Sequence, residues 1–183
     1  FYSDDIIDEV SGISSLENME TIVDRCHYFI NNFDKHPCNL LFYGRAGTGK
    51  TFLINCIAKE LIQRSYFVLY FSSFDLFDLL AKNTFKKDTA ASDMAEYIAN
   101  CDLLIIDDLG TELVNSFVAS QLFFCVNERI INHKSTIIST NLTMENFLET
   151  YSERIFSRIS SNYTMLKLIG NDIRIQKKLL GGK

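Results

Sequence analysis

The chain has no tryptophan, one proline in 183 residues, no low-complexity run and no internal repeat. It has no apolar stretch that approaches the length of a membrane span, so no membrane partner is expected. Its five cysteines (Cys26, Cys38, Cys56, Cys101, Cys125) are odd in number and form no Cys-x-x-Cys. Most sit within apolar patterns and read as buried free thiols in a reducing cytosol rather than a disulfide framework. The histidines, His27, His36 and His133, lack metal-ligand spacing, so no zinc site is expected. The formal net charge of −5 excludes a general nucleic-acid coat. It leaves room for a local groove, because phosphate binding depends on where charge is placed. Small basic clusters stand at Lys82, Lys86, Lys87 and at Arg174, Lys177, Lys178; ordinary solvated surface explains them equally.

What is present suits a single domain. An apolar fraction of 47% is enough for a sizeable core. The opening (Phe1, then Asp4, Asp5, Asp8 and Glu9) is too acidic for a signal peptide. Without an initiating methionine it reads as a module cut from a longer cytoplasmic protein, with a separate N-terminal domain missing. Residues 1–35 are read as an N-terminal linker and helix, and 36–183 as the core.

Residues 44–51, Gly-Arg-Ala-Gly-Thr-Gly-Lys-Thr, fit G-x-x-x-x-G-K-S/T, the phosphate-binding loop. Gly44, Gly47 and Gly49 let the backbone turn tightly and bring its N–H groups, with those of Arg45, Ala46 and Thr48, against phosphate oxygens. Lys50 supplies a point charge for the β- and γ-phosphates, and the Thr51 hydroxyl is a Mg²⁺ ligand. Phe52 follows in the first turn of a helix whose dipole faces the same anion. ATP and Mg²⁺ are therefore the expected ligands. An apolar run at 38–43 precedes the loop, and helical spacing over 51–63 follows it.

The rest of the chain continues the alternation. Helical spacing covers Leu16 to Phe33. Strands are expected at 67–71, 103–107, 136–140 and 165–169. Helices are expected at 74–82, 89–99, 116–132, 144–160 (as one or two) and 172–180, with a polar separator from Asn83 to Thr89. The spacing predicts an α/β domain with a mostly parallel sheet covered on both faces. Ligands of such sheets bind at the carboxyl ends of strands.

Leu103-Leu104-Ile105-Ile106-Asp107-Asp108 is an apolar strand that ends in two carboxylates. This is what a Walker B element needs. Asp107 is expected to hold Mg²⁺ through its water shell beside Thr51, and Asp108 to orient or deprotonate the attacking water. Glu112, three residues past the strand, is expected to cap or face solvent. Ser139-Thr140-Asn141 ends the next strand. The Asn141 amide is placed to bond the γ-phosphate or the water, though a turn or cap would also use it. Arg154 and Arg158, four apart, share a helical face. They suit either a solvated face or an arginine finger that reaches a neighbouring subunit's γ-phosphate. Arg174 opens the last helix within reach of its own subunit's phosphates.

In this order and spacing, GRAGTGKT, LLIIDDLGTE, STN, ERIFSRI and GNDIR resemble the AAA+ module of bacterial replicative helicase loaders of the DnaC/DnaI type, with IstB-type transposition helpers as close relatives. The resemblance spans about residues 10 to 180. It implies a five-stranded parallel P-loop fold in which Asn141 is sensor 1, Arg158 or Arg154 the finger, and Arg174 sensor 2. It implies a homo-oligomeric ATPase that loads a replicative helicase onto single-stranded DNA, with an IstB-like helper or a nucleotide-gated binding module of negligible turnover as alternatives. The helices at 74–99 fall where such proteins face single-stranded DNA. Lys82, Lys86 and Lys87 lie there beside Phe74, Phe77 and Phe85, of which Phe74 and Phe77 are expected to be core. The sequence departs from many AAA+ proteins in carrying Asp108 where they carry glutamate, which shortens the catalytic arm.

Overall fold

The computed structural model describes residues 6–86 and 89–179. The run before the glycine loop is β1 (Asn39–Gly44), and β2 (Val68–Ser72), β3 (Leu103–Leu109), β4 (Ser135–Thr140) and β5 (Tyr163–Leu168) join it. All four ladders are parallel and the order across the sheet is β2-β3-β4-β1-β5. This is the expected five-stranded parallel sheet. α1 (Ser15–Asn31) precedes it, and α2 (Lys50–Gln63), α3 (Ser73–Ala81), α4 (Thr89–Asn100), α5 (Ser116–Ile131), α6 (Met144–Tyr151) and α7 (Glu153–Asn162) connect its strands. α8 (Ile173–Leu179) follows β5.

Successive strand residues point to opposite faces, and both faces are covered. Leu40, Phe42, Leu103, Ile105 and Ile137 pack with Ile22 and Phe29 of α1 and Ile54, Ile57 and Leu61 of α2. Their neighbours Leu41, Leu104, Ile106 and Ile138 pack on the other side with Leu76, Leu122, Phe147 and Ile155 of α3, α5, α6 and α7. Two-sided burial is why these strands read as unbroken apolar runs. It also settles which face holds chemistry. Asp107 has the parity of Leu103 and Ile105, so it lies on the side of α2 and the phosphate loop.

The 144–160 segment is two helices, broken at Ser152 with φ 85°, one of the two arrangements the spacing allows. Two expectations change. The start of the separator at 83–89 is not loop; α3 runs on into a π-helical turn, Lys82–Lys86. Phe74 is 65% exposed rather than core. The buried set of α3 is Ser73, Leu76, Phe77 and Leu80, one face at helical spacing, and Phe74 lies about 100° round from it. The cysteines are free. Cys26, Cys101 and Cys125 are buried and Cys38 half-buried, but Cys56 is exposed. Burial pushes the Cys26 and Cys125 thiols up to about 12. Among the described residues no helix is long and apolar enough to cross a membrane.

Candidate nucleotide-binding site

The phosphate loop leaves the carboxyl end of β1 and closes on α2. Gly44 has φ 143°, and a Cβ there would meet the Leu168 carbonyl oxygen at 2.3 Å. The adjacent strand therefore demands glycine independently of any ligand. α1, α3, α5 and α6 each have a side-chain N-cap, from Ser14, Ser72, Asn115 and Thr143. α2 begins instead on Gly49, without a side-chain cap, so its first N–H groups stay open at the loop mouth. Lys50 is 4% exposed. Its ammonium donates to the carbonyls of Gly44 at 2.7 Å and Arg45 at 2.8 Å. Burial pushes the Lys50 pKa below its ordinary value, the charges of Asp108 and Asp107 oppose that, and Arg174 adds to it. A buried ammonium held only by loop carbonyls is suited to an anion. Arg45, Ala46 and Phe52 are exposed around the loop, and the Thr48 hydroxyl braces it by donating to the Arg45 carbonyl at 2.9 Å.

Across the mouth stands the end of β3. Asp107 is 6% exposed, and its Oδ1 lies 3.4 Å from the Thr51 hydroxyl. Two hard oxygen donors that converge beside a phosphate loop fit Mg²⁺. Two groups that sequence reading missed hold Asp107. The Tyr70 hydroxyl donates to Oδ2 at 2.5 Å, and the Ser139 hydroxyl donates to Oδ1. Burial, then the Asp107 hydrogen bond, pushes the Tyr70 pKa up. The signal for both was parity. Tyr70 pairs with Ile105 in register, so it lies on the Asp107 face, and Ser139 is a polar residue in a fully buried strand.

Asp108 is set apart by backbone strain. Its φ is 56°, uncommon for a non-glycine residue and costly unless surroundings impose it. They do. Its N–H donates to the Ser139 hydroxyl at 2.9 Å, and its carbonyl accepts from the hydroxyls of Ser73 at 3.1 Å and Thr111 at 2.9 Å. The register between β3 and β4 shifts at this point. The Asp108 carboxylate is thereby half-exposed, and the Asn141 amide donates to it at 3.4 Å.

Glu112 neither caps nor faces solvent alone. Its carboxylate accepts from the Gly110 N–H at 3.0 Å and from the buried Tyr151 hydroxyl, which ties the turn after β3 to the junction of α6 and α7. Of the two arginines on α7, Arg154 lies over the Phe123 ring, 4.0 Å from its centroid. Arg158 is exposed, and among the described residues its side chain has no hydrogen bond or ion pair. Arg174 is exposed and pairs with Asp172. Lys82 pairs with Asp78 at 2.6 Å. Lys87 and the side chains of Lys86 and Lys177 lie outside the described residues.

Known proteins share this sequence pattern and this fold. Residues 26–180 match the family of IstB-like ATP binding proteins. The replicative helicase loader DnaC of Escherichia coli (strain K12) is 26% identical over 144 residues, which is 78% of this chain and 58% of that protein. This chain thus spans little more than half the length of that relative. The crystal structure of the DnaC helicase loader superposes with a TM-score of 0.76 at 22% identity, covering 83% of this chain and 90% of that one. The replication initiator DnaA bound to AMPPCP and single-stranded DNA superposes with a TM-score of 0.72 at 21% identity, covering 89% and 52%. With its parallel sheet, glycine loop and paired carboxylates, the chain belongs to the family of IstB-like ATP binding proteins, and its AAA+ module is similar to that of the DnaC-type loaders.

Proposed function

We propose that this chain is the ATP-hydrolysing module of a cytoplasmic protein that delivers a replicative DNA helicase to single-stranded DNA. The observation that carries the ATPase reading is the convergence of Lys50, Thr51, Asp107, Asp108 and Asn141 at the carboxyl end of the sheet. The helicase reading is supported by the likeness to DnaC. On ATP binding Lys50 exchanges its two carbonyl partners for β- and γ-phosphate oxygens. Thr51 and Asp107 would hold Mg²⁺. When bound, Mg²⁺ neutralises charge on the phosphates being separated. Asp108, turned out by its left-handed backbone and held by Asn141, orients a water against the γ-phosphoryl group and takes its proton. An aspartate reaches less far than a glutamate, so turnover in isolation is slow.

Two substitutions separate binding from turnover. Lys50→Ala is expected to weaken ATP binding by about 3 kcal/mol, the scale of a buried charge-assisted contact. Asp108→Asn should leave binding near wild type and abolish most turnover. Calorimetry and phosphate release check both. Unchanged ATP affinity in Lys50→Ala would sink the nucleotide reading, and unchanged turnover in Asp108→Asn would move the base elsewhere.

Single-stranded DNA binding is local and weak in this reading. Phe74 and Phe85 are exposed on α3 and the π-helical turn, where bases can stack on them. Lys86 and Lys87 follow Phe85 directly in sequence. Replacing both lysines by alanine should flatten the dependence of log affinity on log salt by about one to two units, measured by fluorescence anisotropy. An unchanged slope would place the DNA site elsewhere.

A further inference from the structure

A carboxylate rests against the phosphate cradle. Gly47 has φ 76°, and a Cβ on it would lie 2.1 Å from the Asp172 carboxyl carbon. The Ile173 N–H donates to the Gly47 carbonyl at 3.0 Å, which fixes the segment on the loop. A bare negative charge in this place would repel every phosphate. Here it is engaged chiefly by one residue. Its Oδ1 accepts from the Arg174 N–H at 2.9 Å and Nε at 3.0 Å, and its Oδ2 from Nη2 at 2.8 Å. The Arg174 bonds hold the Asp172 carboxyl down to about 2, so the pair stays ionised at any working pH.

The contact is side-on. It uses Nε–H and one Nη2–H, and leaves the end-on fork of Nη1 and outer Nη2 hydrogens without a partner in this pairing. The guanidinium also stands close enough to the pocket for its charge to act on Lys50 and to feel Asp108. We propose that Asp172 is the positioning residue that fixes this fork for the terminal phosphate and so sets the preference for ATP over ADP. The proposal rests on the ATP reading above. An exposed arginine without an anchor would lose rotamer freedom on meeting its ligand; one pinned to the loop has already lost it. The carboxylate meanwhile disfavours both nucleotides through its charge. Only a ligand long enough to reach the fork recovers that loss, which is how one acidic residue can favour the longer phosphate chain.

The test is calorimetry of ATP and ADP, with Mg²⁺, on wild type, Asp172→Asn, Arg174→Ala and the double variant. Asparagine keeps the shape against Gly47 and removes the charge. Asp172→Asn should bind ADP at least as tightly as wild type, while the ATP-to-ADP affinity ratio falls about tenfold, the scale of one charge-assisted hydrogen bond. Arg174→Ala should lower the ratio similarly, and the double variant no further, because Asp172 acts through Arg174. Equal weakening of both nucleotides in Asp172→Asn would mean a structural role only and overturn the proposal. So would a double variant whose ratio falls well below that of Arg174→Ala, or an Arg174→Ala ratio equal to wild type. A wild-type chain that binds neither nucleotide would instead remove the ATP reading itself.

Discussion

An equimolar mixture of Arg158→Ala and Lys50→Ala chains is expected to recover part of a turnover that neither has alone. Arg158 stands exposed on α7 without a hydrogen bond or ion pair among the described residues, while Arg154 on the same face is stacked on Phe123. A free guanidinium on a rigid helix suits delivery to a neighbour's γ-phosphate. Fingers of this kind contribute about 10³–10⁵ in rate in phosphoryl-transfer enzymes. In a head-to-tail homo-oligomer formed from the mixture, about a quarter of the interfaces join an intact pocket to an intact finger. Phosphate release should rise accordingly once the mixed assembly forms, and wild-type turnover per subunit should rise with protein concentration. The link from Glu112 to Tyr151 gives the turn beside Asp108 a direct mechanical connection to the start of α7. No rescue despite proven co-assembly would dismiss Arg158. Arg154 would then be tested the same way, and it would first have to leave the Phe123 ring.

Arg129→Ala is expected to be the most destabilising substitution outside the site. Arg129 is 1% exposed and among the described residues forms no ion pair with a carboxylate. Nε donates to the Thr136 hydroxyl at 3.0 Å, Nη1 to the Ile98 carbonyl at 2.6 Å, and Nη2 to the carbonyls of Cys101 at 3.2 Å and Ser135 at 2.6 Å. One guanidinium thus ties the carboxyl end of α4, where the helix dipole is negative, to the starts of β3 and β4. Truncation leaves several buried carbonyls unpaired and opens a cavity, a loss of about 4 kcal/mol or more. For a domain of this size that lowers the melting temperature by about 10 °C. Lysine has its three donors on one nitrogen, which cannot span the acceptors that Nε, Nη1 and Nη2 reach, and should restore only part of the loss. Thermal or urea unfolding decides the matter. A loss below about 1 kcal/mol would mean that the cost of burying the charge cancels its bonds.

The phosphate loop, the Asp107–Asp108 strand end and the alternation of strands and helices were legible because each is a local pattern. A glycine string, a period of two and a period near 3.6 all reside within a few consecutive residues. Phe74 shows how such a pattern is misread. The phase of α3 is set by Leu76, Phe77 and Leu80, and counting it would have turned Phe74 outward. The break at Ser152 was less accessible, since a positive φ in a serine leaves no compositional trace.

By itself, then, the sequence determined the fold class, the element order and the residues of the proposed nucleotide site. Tertiary structure alone decided how those residues are held. Tyr70 and Ser139 meet Asp107 because β3 lies between β2 and β4. Arg129 finds the carbonyls of Ile98 and Cys101 about 30 positions earlier in the chain. Asp172 reaches Gly47 because β5 lies beside β1. Each is a polar contact between segments far apart in sequence. Hydrophobic periodicity specifies which face of an element is buried, but not which distant partner that face will meet.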